Sequence, residues 1–220
     1  MSAPLRAAIL ISGRGSNMGA LARACLAGSI PAQVAIVISD RADAGGLDIA
    51  RALGVPTATV LGAPGDGTRF EQALAETLDA HQPDVIALAG FMRILSASFV
   101  ARYAGRMLNI HPSLLPKYRG LHTHRRVLEA RDTEHGANVH FVTAELDGGP
   151  VVLQSKVAVE PGDTEATLSA RVQATEHIIY PEVLSWFAHR RLVWRHDAPW
   201  LDGRPLDAPI VEDFRAAARQ

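Results

Sequence analysis

Residues 84–90 read Asp-Val-Ile-Ala-Leu-Ala-Gly, and every side chain from Val85 to Ala89 is apolar. A strand that is covered by helices on both faces carries apolar side chains on both sides, so it lacks the alternation of a half-exposed strand. We therefore expect this segment to be a buried strand in the middle of a sheet.

Short β-rich runs lie on both sides of this segment, with helical stretches between them. The runs that we expect to form strands of the same sheet are Ala7–Ser12, Val34–Ser39, Pro56–Leu61 and Arg106–His111. In the clearest helix, residues at offsets 0, 3, 4, 7 and 8 share one face, and these are Phe70, Ala73, Leu74, Thr77 and Leu78. Strands that alternate with helices indicate a parallel sheet with helices on both faces.

The pattern changes after His111. A helix is expected near Arg125–Arg131, and two β-rich stretches, Ala137–Thr143 and Val151–Val159, then follow each other around a Gly-Gly-Pro turn. Successive strands joined by a turn favour antiparallel pairing. The sequence therefore predicts a single α/β domain with a Rossmann-like open twisted sheet, parallel in the N-terminal half and mixed toward the C-terminus.

The C-terminal part is predicted to hold one long helix and a tail. The helix should begin after Asp163, which we expect to cap it with Glu165 in the first turn. Pro181 should kink this helix or end its first half. The tail from Val193 to Gln220 is predicted to form a hairpin and then a loose end. We place the domain at residues 1–206 and a C-terminal tail at 207–220.

Composition narrows the range of functions. Of 220 residues, 48% are hydrophobic and 20% are charged, which is enough apolar material for one core of ordinary size. The formal charge of -1 lacks the basic excess that nucleic acid or an anionic membrane attracts, so a small-molecule partner is expected. The one cysteine, Cys25, lies in an apolar helical stretch and is expected to be a bystander. A single cysteine and the absence of a long apolar run favour a cytoplasmic location.

The loop after the first expected strand reads Ser12-Gly-Arg-Gly-Ser-Asn17 and opens the first helix. Free backbone N–H groups and the helix dipole suit such a place to an anion, and glycines let the backbone approach it closely. A dinucleotide fingerprint would need glycine at position 18, where the chain has Met18, so the loop favours a single phosphate. The alternative is a tight turn without a ligand, capped by Ser16 or Asn17.

Asn109 and His111 lie two residues apart at the end of the fifth expected strand, so an extended backbone puts both on one face. Open α/β sheets bind ligands at this edge. The amide and the imidazole could donate to an oxyanion on an acyl carbon, and the histidine could also move a proton. Asp147, which precedes Gly-Gly-Pro, is either an ordinary turn residue or a carboxylate that swings back and stabilises the charged histidine.

Together these segments resemble the folate-dependent formyltransferases, in the phosphoribosylglycinamide formyltransferase branch. The similar segments are Ser12–Asn17, Ala89–Leu95, Asn109–His124 and Glu145–Pro150, and the likeness runs from about Ile9 to Leu206. It implies the formyltransferase fold and the transfer of a formyl group from 10-formyltetrahydrofolate to the amine of 5-phosphoribosylglycinamide, a step of purine biosynthesis. No metal is implied.

The resemblance also implies roles for individual residues. It assigns catalysis to Asn109, His111 and Asp147. The residues that it assigns to the acceptor substrate are Gly15, Ser16 and Asn17, on the phosphate, and Gln173 and Glu176. The residues that it assigns to the folate are Met92, Arg93, Ile94, Leu95, Asn109, Thr143 and Leu146. The two small molecules are the expected partners, without nucleic acid or membrane, and the protein is expected to be a monomer or a homodimer.

Two positions depart from the family pattern. The arginine that commonly meets the glutamate tail of the folate is displaced by about two residues, with Arg69 the nearest candidate, so that contact is left unassigned. Arg119 stands where relatives often have proline, and it is interpreted as a tolerated loop change. The remaining histidines of this region are interpreted as structural and not as metal ligands; they are His122, His124, His135 and His140.

Three other functions are weighed. A formyl-folate hydrolase and a methionyl-tRNA formyltransferase would share the catalytic trio. The first resembles this core with an added N-terminal domain and the second with an added C-terminal tRNA-binding domain, and we expect room for neither. A non-catalytic nucleotide-binding module would be supported only by Gly13, Gly15 and Asp40.

Overall fold

The computed structural model describes residues 3–62 and 65–215. The strands are β1 (Leu5–Ile11), β2 (Ala32–Ser39), β3 (Thr57–Thr59), β4 (Val85–Leu88), β5 (Met107–His111), β6 (Glu134–Phe141), β7 (Val151–Ala158), β8 (Leu192–Arg195), β9 (Ala198–Leu201), β10 (Arg204–Pro205) and β11 (Ile210–Asp213). The helices are α1 (Ser16–Leu26), α2 (Gly45–Ala52), α3 (Gly67–His81), α4 (Ala97–Arg102), α5 (Thr123–Ala130) and α6 (Glu165–Ala188).

The main sheet has eight strands in the order β11-β7-β6-β5-β4-β1-β2-β3. All pairs from β3 to β5 are parallel, whereas β6 pairs antiparallel with both β5 and β7. The predicted mixed sheet is therefore confirmed, and so is the central position of β4. Because β1 pairs with β2 on one side and with β4 on the other, the strand order reverses at β1, which is where open α/β sheets bind ligands.

Two apolar cores lie on opposite faces of this sheet. Successive residues of β1 point alternately to each core: Ile9 belongs to the core under α1, α2, α5 and α6, and Leu10 to the core under α3 and α4. The predicted stripe on α3 is confirmed, with Phe70, Leu74 and Leu78 buried. Burial on both faces explains why the central strands are apolar throughout.

The predicted capping residue of the long helix is wrong by one position. Thr164 caps α6, because its Oγ1 accepts the N–H of Thr167 at 3.2 Å while the Thr167 hydroxyl accepts the N–H of Thr164 at 2.9 Å. Asp163 pairs instead with Arg171 at 2.6 Å, and this contact lowers the pKa of the Asp163 carboxyl to about 2. Two adjacent residues could each cap the helix, and the arginine eight residues on takes the carboxylate.

Pro181 does not end α6, which continues through it to Ala188. Residues on both sides of Pro181, including Tyr180 and Val183, are buried in the core, so packing outweighs the one backbone hydrogen bond that proline cannot donate. Although α6 has 24 residues, no helix within the described ranges is both long enough and apolar enough to cross a membrane.

The tail begins with the predicted hairpin, in which β8 and β9 pair antiparallel. The predicted loose end is wrong for residues 210–213, because β11 joins the edge of the main sheet and pairs parallel with β7. Arg215, two residues after β11, also forms an ion pair with Glu134 of β6, with a distance of 3.0 Å between the guanidinium nitrogen and the carboxylate oxygen. Residues 216–220, the remainder of the predicted tail, lie outside the described residues.

Candidate active site

The loop between β1 and α1 brings free backbone N–H groups to the point where the strand order reverses. Gly15, at the N-cap of α1, has a left-handed backbone with φ of 74°, and a Cβ there would lie 2.5 Å from the Cα of Gly46. Glycine is therefore required by both conformation and space. Without a capping side chain, the first N–H groups of α1 have no partner in the helix and can bind an anion.

Helix α6 brings two polar side chains to this loop. The Nε2 of Gln173 donates to the hydroxyl of Ser16 at 3.1 Å, and the Nδ2 of Asn17 donates to Glu176 at 2.7 Å. Burial raises the pKa of the Glu176 carboxyl, and the hydrogen bond from Asn17 partly opposes that effect. The five residues assigned to the acceptor substrate, including Gly15, thus lie together.

Tyr180 fixes the position of α6 against the sheet. Its buried hydroxyl lies 3.0 Å from the carbonyl oxygen of Leu88, at the end of β4, and 3.1 Å from that of Leu108 in β5. Because Tyr180 is one turn after Glu176 on the same helix, this contact helps to position the α6 residues that are assigned to the acceptor above the strand ends.

The three residues assigned to catalysis meet at the carboxyl end of β5. Asn109 and His111 are on this strand, and the loop after β6 carries Asp147 to them, with Oδ2 3.5 Å from the Nδ1 of His111. The same carboxylate oxygen accepts the N–H of Gly120 at 2.9 Å. The side chains of His111 and Asp147 are each only 8% exposed, so their charges are poorly screened by water.

Both ring nitrogens of His111 face oxygen acceptors. The Nε2 lies 3.0 Å from the carbonyl oxygen of Tyr118, and the Nδ1 faces Asp147. A neutral ring has only one N–H and would present a lone pair to one of these oxygens, whereas an imidazolium can donate to both.

His140 belongs to the site, although the sequence identified it only as a structural residue. The antiparallel register of β5 and β6 places it directly opposite Asn109, whose Nδ2 lies 3.1 Å from its Nε2. Burial lowers the pKa of His140, so the ring is neutral at neutral pH. Its Nδ1 faces the carbonyl oxygen of Phe141 at 2.9 Å, and the Nε2 lone pair is then free to accept from Asn109.

A pocket of about 130 Å³ opens beside this polar cluster. Of the residues assigned to the folate, those that line it are Arg93, Ile94, Leu95, Asn109, Thr143 and Leu146. Met92 is not among the lining residues; the residue is 60% exposed, and its N–H donates to the hydroxyl of Ser12 at 2.8 Å. Asp147 and His140 also line the pocket, so its apolar walls adjoin the polar cluster directly.

The positions that departed from the family pattern have partners of their own. Arg119 forms an ion pair with Glu145, a residue of the loop that carries Asp147. Arg69, whose side chain is 86% exposed, lies 3.9 Å from Asp66 near the start of α3. Among the other histidines, the Nδ1 of His124 lies 3.0 Å from the Nε2 of His135.

Comparison with known proteins gives consistent matches along most of the chain. Residues 5–184 match the family described as formyl transferase. The phosphoribosylglycinamide formyltransferase of Escherichia coli (strain K12) is 55% identical over 199 residues, covering 90% of this chain and 94% of that protein. The protein of the same name from Haemophilus influenzae is 46% identical over 200 residues, with coverages of 90% and 94%. The solved structure of the phosphoribosylglycinamide formyltransferase from Coxiella burnetii has a TM-score of 0.90 at 48% identity, covering 94% of this chain and 99% of that one.

Proposed function

The chain belongs to the formyl transferase family and is an enzyme of purine biosynthesis that formylates phosphoribosylglycinamide; we propose that 10-formyltetrahydrofolate is its formyl donor and that Asn109, His111 and Asp147 carry out the transfer. The observation that carries this proposal is the pocket in which Asn109 and Asp147 share walls with apolar side chains. Such a pocket can hold a flat folate ring and place its formyl group beside hydrogen-bond donors.

In the proposed mechanism, the neutral amine of the acceptor attacks the formyl carbon, and the carbonyl oxygen becomes an oxyanion. Asn109 has two N–H groups on Nδ2, of which one is directed at His140 and the other is available to the oxyanion. The imidazolium of His111 supplies a second donor, and for this its Nε2–H must leave the carbonyl of Tyr118. Asp147 stabilises the positive charge on the ring.

Collapse of the tetrahedral intermediate completes the transfer. The bond between the formyl carbon and the folate nitrogen breaks. A proton that the attacking amine gives up is transferred to that nitrogen, and tetrahydrofolate is released. Proton movement of this kind is a role suited to the histidine. The reaction yields 5-phosphoribosyl-N-formylglycinamide without any covalent intermediate on the enzyme.

The acceptor is proposed to bind across the β1–α1 loop and α6. Backbone N–H groups of Gly15, Ser16 and Asn17 hold the phosphate, and Gln173 and Glu176 hold the sugar and glycinamide part. Support comes from the short contacts of Gln173 with Ser16 and of Asn17 with Glu176. The Oδ1 of Asn17, buried and without a hydrogen-bond partner among the described residues, is a further polar group that a ligand can satisfy.

The folate is proposed to occupy the pocket formed by residues 93–95 and 143–147. The guanidinium of Arg93 lies over the ring of Phe70 at 4.1 Å and forms part of the pocket wall. Met92 is proposed to contribute through its backbone, because its N–H ties this segment to Ser12 of the phosphate loop. A cytoplasmic location and a monomeric or homodimeric state complete the proposal.

The test is formyl transfer from the folate donor, measured with and without the phosphoribosylglycinamide acceptor. Transfer that depends on the acceptor supports the proposal, whereas formate release that is independent of the acceptor would identify a hydrolase. A thermal-shift comparison adds a binding readout, since stabilisation by the acceptor and not by NAD separates the enzyme from a dinucleotide-binding module.

A further inference from the structure

We propose that Arg14 is a substrate-binding residue that contacts the phosphate of the acceptor and selects for the phosphorylated form. The inference builds on the proposed function, since it names a further residue at the same phosphate site. Arg14 lies between Gly13 and Gly15 in the β1–α1 loop, and its side chain is exposed.

The geometry places Arg14 beside the proposed phosphate subsite. It lines a pocket of about 490 Å³ together with Gln173 of α6, His124 of α5, and Glu165. Gln173 in turn donates to the hydroxyl of Ser16, the first residue of α1. The pocket wall therefore includes both a residue of the loop and the side chain that reaches the helix N-terminus.

A phosphate bound in this pocket would need a positively charged side chain in addition to the helix N-terminus. A phosphate monoester carries a charge of about -1.5 to -2 at neutral pH, whereas a helix N-terminus supplies roughly half a positive charge. Gln173 is uncharged, and burial lowers the pKa of His124, which leaves that ring neutral at neutral pH. Glu165 is an acid and repels phosphate. Among the residues that line the pocket, Arg14 is the cation.

The guanidinium of Arg14 is available for this role. Within residues 3–62 and 65–215 it forms no ion pair with Glu165 or with another carboxylate, whereas the exposed Arg41 of the neighbouring loop pairs with Asp43 at 3.0 Å. A guanidinium can donate two parallel N–H groups to phosphate oxygens, a geometry that lysine cannot reproduce. Arg14 thus supplies positive charge to the phosphate, and the backbone N–H groups orient it.

The experiment compares steady-state kinetics of Arg14→Gln and Arg14→Lys with wild type, using the phosphoribosylglycinamide acceptor and its dephosphorylated form. A charge-assisted contact predicts that KM for the phosphorylated acceptor rises roughly 10- to 100-fold in Arg14→Gln, with an intermediate rise in Arg14→Lys. The kcat, the KM for the folate, and all constants for the dephosphorylated acceptor should stay at the wild-type values. Arg41→Gln, which removes a nearby exposed arginine, is the matched control and should behave as wild type.

An unchanged KM for the phosphorylated acceptor would overturn the proposal. Equal losses with both acceptors would also overturn it, since they would indicate a structural role in the loop or neutralisation of Glu165. Calorimetric titration with the phosphorylated acceptor, without the folate, separates this outcome from failure of the proposed function. If wild type binds the acceptor but does not formylate it, the proposed reaction fails, and the binding loss in Arg14→Gln still decides the role of Arg14.

Discussion

Asp147→Asn tests the proposed charge interaction between Asp147 and His111. The carboxylate lies 3.5 Å from His111 and accepts the N–H of Gly120 at 2.9 Å. Asparagine keeps the size of the side chain and can still accept from Gly120 through its amide oxygen. The substitution therefore removes the charge with little change in loop geometry.

The magnitude follows from the distance and the burial. Two unit charges 3.5 Å apart attract by about 5 kcal/mol at an effective dielectric constant of about 20, and the desolvation of both groups offsets part of this. A net loss of about 3 kcal/mol in transition-state stabilisation corresponds to roughly a 100-fold lower rate. Since Asp147 is proposed to act on charge in the transition state, kcat should fall and both KM values should change little.

The assay combines kinetics and NMR. Steady-state kinetics should show the lower kcat of Asp147→Asn with both KM values near those of wild type. NMR spectra should show that the variant keeps the fold, so that the lower rate is assigned to the lost charge. Asp202→Asn, which removes an exposed aspartate paired with Arg191, is the control and should match wild type.

A kcat near that of wild type in a folded Asp147→Asn variant would refute the electrostatic role. The contact with Gly120, which asparagine can keep, would then be the contribution of this residue, and it would hold the loop that carries Tyr118.

Three further predictions concern single residues. Asn109→Ala should lower kcat on the order of 100- to 1,000-fold with little change in either KM, since an oxyanion donor acts mainly in the transition state; near-normal turnover in steady-state assays would remove Asn109 from the mechanism. Glu176→Gln should raise the free energy of unfolding at neutral pH, because burial raises the pKa of the Glu176 carboxyl and the ionised form destabilises the fold. Urea unfolding should show that this gain in stability disappears at pH values below the ordinary titration range of glutamate. Burial lowers the pKa of His135 from 6.5 to about 3, so its contribution to stability is present above pH 6.5 and is lost as the pH falls toward 3. Urea unfolding should show that His135→Gln loses less stability than wild type over this pH range. An identical pH dependence in the two proteins would contradict the argument.

The parts of the fold that the sequence predicts are those whose pattern is local. The apolar run of β4 and the helical stripe of α3 depend on residues that are neighbours in the chain, and both are confirmed. Strand β11 reads Ile-Val-Glu-Asp and has no apolar alternation of its own. It forms a strand because it pairs with β7, which is distant in sequence, and such a pairing cannot be predicted from a local sequence pattern.

The same distinction applies to the site. Asn109 and His111 could be placed on one face from their spacing alone, but His140 could not be joined to them. Its contact with Asn109 depends on the register between β5 and β6, which sets His140 opposite Asn109 and Asn138 opposite His111. From the sequence, His140 could be interpreted only as a hydrogen-bonded structural residue at a strand. Likewise, the sequence did not decide whether Asp147 is an ordinary turn residue or lies in the site, and the structure places it beside His111.

The arrangement of β1, β4 and β5 has a consequence for how the acceptor is used. The proposed phosphate loop follows β1 and the proposed oxyanion donor Asn109 is on β5, so the two are separated by two strand spacings, about 10 Å, across the central β4. Hydrogen-bonded parallel strands and the contact of Tyr180 with β4 and β5 make this distance rigid. An acceptor held by its phosphate therefore presents its amine at a fixed place, and binding energy far from the reacting atoms orients the attack. For this reason the dephosphorylated acceptor should lose kcat as well as affinity, whereas loss of Arg14 alone, with the backbone N–H groups still in place, should lower affinity only.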